Sequence, residues 1–105
     1  MKTLHRQLSA AIAVLLLSGA AAAGDGLALA TDNGCMACHA GNKPMVAPSF
    51  ARITSRYQGK PGARAELAAS IRNGSKAKWG VMVMRPNEKI SDADALVIAD
   101  WLVTH

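Results

Sequence analysis

The sequence is poor in the residues that brace most small folds. It has two cysteines, two tryptophans, one tyrosine and one phenylalanine. Two cysteines cannot build the multi-bridge framework of a small secreted scaffold, and Cys35 and Cys38 are too close together to tie distant segments. Histidine is scarce as well: His5 lies near the start and His105 ends the chain, which leaves His39 in the body of it. Apolar–polar alternation is nearly absent. The one strand-like stretch, Val81-Met82-Val83-Met84, is too short to found a sheet. Acids are outnumbered, seven against twelve lysines and arginines, yet no basic stripe interleaved with aromatics appears, so nucleic acid is not the expected partner. The longest apolar run, Leu8 to Leu17, is too short to span a bilayer.

That run has another reading. Lys2 and Arg6 precede it without an acid, and Ser18 to Ala23 are small residues ending in Ala-x-Ala. This is the pattern of a secretory signal peptide, with cleavage expected after Ala23 and residues 24–105 as the working domain. Losing Lys2 and Arg6 leaves ten bases against seven acids, a net charge of +3. A domain of that length buries little core by itself and needs a staple. Export implies the periplasm, with no membrane insertion of the mature chain.

The rest reads as one all-α domain of short helices. A first helix is expected from about Gly26 to Asn33, stopped by Gly34. Gly41 to Pro48 is a loop broken by Gly41, Asn42, Pro44 and Pro48. A short helix follows from Ser49 to Tyr57. Ala63 to Arg72 is clearer, because Ala63, Leu67 and Ile71 recur at spacing four on one face, and Asn73-Gly74 tolerate the positive φ of a helix stop. Ser75 to Ile90 is a long loop, a feature that in compact domains often carries function. Ser91 can cap the last helix, and Asp92 and Asp94 suit its positive end. Ala95, Ile98, Ala99, Trp101 and Leu102 then share one face, which should pack on the first helix.

The chemistry lies in Cys35-Met36-Ala37-Cys38-His39. C-x-x-C-H is the attachment signature of c-type haem: each thiol adds across a vinyl group, and the following imidazole is held beneath the iron. A thioredoxin-type pair would need a βαβ framework that this chain does not show. A closed zinc site would need more donors than two thiols and one nearby imidazole. An electron-carrying iron takes a second axial ligand, and with one usable histidine a methionine is the candidate. Met36 is tied up inside the motif and Met45 sits close to His39; spacing alone leaves Met82 and Met84 equal.

At this point the chain resembles the short bacterial class I cytochromes c. The resemblance runs from about Leu27 to the C-terminus. It is carried by the C-x-x-C-H motif, Val46-Ala47-Pro48, Ile71-Arg72-Asn73-Gly74-Ser75, Trp79-Gly80-x-x-x-Met84-x-Pro86-Asn87 and the Ser91 to Trp101 helix. It implies the cytochrome c fold, three to four helices wrapped around one covalently attached haem. Cys35 and Cys38 would bond the haem, and His39 and Met84 would ligate its iron. The Pro48 carbonyl would accept from the second ring nitrogen of His39. Trp79 and Arg72 resemble propionate partners, and Asn87 a residue near the methionine sulfur. The chain departs from the pattern at Val81, Val83 and Arg85, where relatives often carry proline. Proline stiffens a loop, so Met82 stands as the alternative ligand.

The implied function is one-electron transfer by a monomeric periplasmic carrier, not an enzyme. The respiratory chain is one setting for it. Lys43, Lys76, Lys78 and Arg85 would border the haem edge and steer an acidic redox partner. The rivals are a small haem enzyme acting on peroxide or nitrogen oxides, and a haem-based sensor with a labile sixth ligand. Either would need an open or easily opened iron position.

Overall fold

A computed structural model describes residues 23–39 and 47–104. The expected signal segment up to residue 22, Lys43, Met45, most of the Gly41–Pro48 loop and His105 lie outside the described residues. The chain folds as helix α1 (Ala23–Asp32), a single 3-10 turn (Cys35–Ala37), α2 (Phe50–Tyr57), α3 (Ala63–Asn73), strands β1 (Ser75–Lys76) and β2 (Val83–Met84), and α4 (Asp92–Thr104).

Local chemistry sets the helix ends. Ser49 stands before α2 with extended backbone, and its hydroxyl accepts from the Arg52 amide at 3.2 Å. Ser91 does the same for α4, accepting from the Asp94 amide at 3.0 Å, with Asp92 and Asp94 beside the positive helix end. Gly62 opens α3 in the left-handed conformation and Gly74 closes it at φ 79°. That helix runs one residue further than the sequence suggests, and α1 starts three residues earlier, at Ala23.

Helix α4 is the organising element and packs on α1 and α3. Its Ala95, Ile98, Ala99 and Leu102 are buried against Ala63, Leu67, Ala68 and Ile71 of α3, with Ala30 of α1 and Phe50, Ile53 and Tyr57 of α2 in the same core. The two buried faces are the stripes expected from the sequence, except that Trp101 is only half-buried. It is the residue over which α1 crosses. A Cβ built on Gly26 would lie 2.2 Å from the Trp101 Cβ, so only glycine lets the two helices approach this closely. Thr54 ties α2 to the end of α4 by donating to the Leu102 carbonyl at 2.7 Å. That carbonyl is among the last four of the helix, which lack intrahelical donors.

The long loop after α3 contains a departure from the all-helical expectation. Ser75–Lys76 and Val83–Met84 pair antiparallel, Ser75 with Met84 and Lys76 with Val83. Two residues per strand are too few for alternation to announce them. Among the described residues no helix is long and apolar enough to cross a membrane.

Candidate functional site

The segment after α1 curls into a helical turn. Gly34 takes φ 76°. The Ala37 amide then reaches the Gly34 carbonyl at 3.2 Å, while the Cys38 and His39 amides reach the Cys35 carbonyl at 3.3 and 2.9 Å. Residues at i, i+3 and i+4 of such a turn share a face. Cys35, Cys38 and His39 accordingly line one cavity, and Met36 is turned out to solvent. Both thiols are free. Burial pushes the Cys35 thiol up from its ordinary value, partly countered by a backbone hydrogen bond.

His39 is buried and fixed from two sides. Its Nδ1 lies 2.7 Å from the Pro48 carbonyl oxygen. A carbonyl only accepts, so Nδ1 carries the proton and Nε2 keeps its lone pair. Phe50 stacks on the imidazole at 5.4 Å and 19°, and Trp101 meets Phe50 edge-on at 5.3 Å. The core therefore orients the one imidazole among the described residues, and Phe50 is a contributor that sequence reading does not single out.

The cavity has a volume of about 680 Å³, within the roughly 300–1,000 Å³ of small-molecule and cofactor sites. Its floor is apolar, from Ile53, Leu67, Ile71, Ile98 and Leu102 of three helices. The hairpin segment supplies another wall, including Met82, Val83, Met84 and Asn87. Both candidate thioethers thus reach it; Met84 is the less exposed. The hairpin is held to α3 by the Asn87 amide, which donates to the Ile71 carbonyl at 3.0 Å. It comes so close to Gly74 that a Cβ there would lie 2.6 Å from the Met84 carbonyl oxygen. The Asn87 side chain reaches towards the Asn33 carbonyl, at 3.5 Å.

The expected rim residues divide. Trp79 lines the cavity, with the guanidinium groups of Arg56 and Arg52 over its ring at 4.4 and 5.5 Å. Arg72 does not line it; its guanidinium is paired with Asp92 at the start of α4. Lys78, which the sequence reading sets at the haem edge as a docking charge, and Ser70, which it does not single out, are both in the lining. Lys78 Nζ donates to the Ser70 hydroxyl at 2.9 Å and lies 3.2 Å from the Glu66 carboxylate.

These side chains fit a haem. Two thiols and an imidazole with a free lone pair rise from one turn, thioethers enter from another segment, and the helices close the cavity with apolar side chains. Among the described residues no three His, Cys, Asp or Glu side chains converge to hold a bare metal ion.

Residues 23–105 match the family profile described as Cytochrome c. The chain is 40% identical over 104 residues to cytochrome c-552 of Nitrosomonas europaea, covering 99% of this chain and 98% of that one. It is 40% identical over 89 residues to cytochrome c-551 of Pseudomonas aeruginosa, covering 85% of each. The crystal structure of wild-type Nitrosomonas europaea cytochrome c552 aligns with a TM-score of 0.71 at 41% identity, covering 74% of this chain and 96% of that chain.

Proposed function

The chain belongs to the cytochrome c family, and from that premise we propose which of its residues hold the haem and how it is exported and docked. It is a small class I monohaem cytochrome c with covalently attached haem c, an electron-transfer protein and not an enzyme. The enzyme and sensor readings fall away, because the relatives are cytochromes c-551, c-552 and c2.

The bound haem supplies a ferric–ferrous couple that stores one electron. In our reading Cys35 and Cys38 form the two thioether bonds. His39 gives the iron its Nε2 lone pair, with Nδ1 held by Pro48 so that tautomer and ring angle are fixed in advance. Met84 would hold the iron through its sulfur; a neutral, soft thioether would raise the potential. The apolar floor excludes water and so limits reorganisation when the charge changes. Trp79 borders the rim and Asn87 steadies the ligand segment. The observation that carries this is the convergence of Cys35, Cys38, His39 and Met84 on one cavity. Absorption spectra of the purified protein, oxidised and reduced, test it. Low-spin, thioether-linked, methionine-ligated haem is expected. A colourless protein would refute the assignment.

Redox proteins are its partners, and we assign them an acidic docking face. Val81 and Val83 are 99% and 61% exposed beside the cavity, and the same segment carries Lys76, Lys78, Arg85 and Lys89. Apolar contact ringed by positive charge suits a weak, salt-sensitive encounter. Residues 1–23 are read as a signal peptide and the mature protein as a periplasmic monomer. N-terminal sequencing of the exported protein should begin at Gly24.

A further inference from the structure

We propose that Lys78, braced by Ser70, is a carboxylate-binding subsite in the lining of the cavity, and that it takes a propionate of the bound haem. This rests on the haem reading above. The cavity is amphiphilic: apolar side chains make its floor, while polar ones, among them Ser70, Lys78, Trp79, Arg85 and Asn87, complete its lining. Haem is amphiphilic in the same sense, since both its carboxylates leave one edge. A carboxylate seeks a charged donor with further donors beside it. The sequence offers Arg72 for that part, but Arg72 is outside the lining and already neutralised by Asp92.

Lys78 is better placed and its position is prepared. An ammonium has three protons. Ser70 at 2.9 Å and Glu66 at 3.2 Å account for two, which leaves one for a third acceptor. Its backbone is gripped as well. The Arg56 guanidinium donates to the Lys78 carbonyl and lies over the neighbouring Trp79 ring. Ala77 takes φ 61°, the one positive value outside glycine among the described residues. Such strain in a non-glycine residue persists only where the surroundings over-determine it, and here it turns the chain just before Lys78. Glu66 competes for the ammonium. It is about half exposed and outside the lining, so it can give way to water when a carboxylate arrives. The charged groups in contact with Lys78 are Glu66 of α3 and Arg56 of α2, with Tyr57 near Glu66 at 3.5 Å; Arg85, Glu88 and Lys89 line the same cavity from the segment that follows.

The test uses the haem-loaded protein and two readouts, the reduction potential and the pH titration of the propionate methylene signals by NMR. K78M should raise the midpoint at which that propionate ionises. It should also lower the ferrous-to-ferric ratio at fixed potential by about three- to tenfold, tenfold being about 59 mV for one electron. K78R should restore both. S70A changes no charge and should move both in the same direction by less. K60M removes a lysine that lies against the Tyr57 ring and should leave the propionate titration unmoved. A K78M titration that overlays the parent, or a K60M shift as large, overturns the subsite. If K78M does not load haem, S70A decides: an unchanged titration overturns it. A parent without a haem spectrum sinks the haem reading itself; a haem-loaded parent indifferent to K78M sinks this inference alone.

Discussion

Alanine at Gly74 should loosen the methionine–iron bond. Two costs are separable. The first is conformational: Gly74 has φ 79° and ψ 173°, a region essentially confined to glycine, and an L-residue held there costs about 1–3 kcal/mol. The second is steric. The new Cβ would lie 2.6 Å from the Met84 carbonyl oxygen and 3.1 Å from Pro86 Cδ and N. Two of these three atoms are backbone and the third is in a proline ring, so the ligand segment itself must move; forced overpacking costs roughly 1–3 kcal/mol. Gly59 is the control. It has φ 76° with nothing within 4 Å of a built Cβ, so G59A carries the cost of a positive φ without the clash. G74A should therefore be about 1–3 kcal/mol less stable than G59A, and in a domain this size each kcal/mol moves the melting temperature by about 4–8 °C. The assay is thermal melting followed by ellipticity, together with the ferric methionine-to-iron charge-transfer band. G74A should lose or weaken the band at temperatures where its helices persist, while G59A keeps it. Equal melting and equal bands in the two variants would refute the idea that a missing side chain seats Met84.

Met84→Ala should abolish the low-spin methionine-ligated spectrum and open the iron to added imidazole, while Met82→Ala should leave it in place; the reverse pattern would make Met82 the ligand. Gly26→Ala places a Cβ 2.2 Å from Trp101 Cβ and 2.6 Å from Cγ, and should cost about 1–3 kcal/mol in denaturant melts as α1 is pushed off α4. Thr54→Val keeps the shape but takes the buried donor from the Leu102 carbonyl, and should cost about 1–3 kcal/mol in the same assay.

How far a sequence reveals such a site depends on the distance between the residues involved. Cys35, Cys38 and His39 are legible because one helical turn brings them together, and i, i+3, i+4 spacing is a local property. The stripes of α3 and α4 are legible for the same reason. Met82 and Met84 mark the first limit: they lie two residues apart in one segment and both line the cavity, and what seats the second is the close approach of its backbone to Gly74. The sequence shows Gly74 only as a helix stop. Its other role appears once β1 and β2 pair, and two residues per strand leave no periodic trace. Arg72 and Lys78 mark the second limit. Both are basic residues near the mouth of the same loop, and nothing local ranks them. Asp92, twenty residues on, takes Arg72 out of the lining. Ser70, one helical turn from Glu66, holds Lys78 within it. The motif thus announces that a haem is held, while pairings across the fold decide which charge its edge meets.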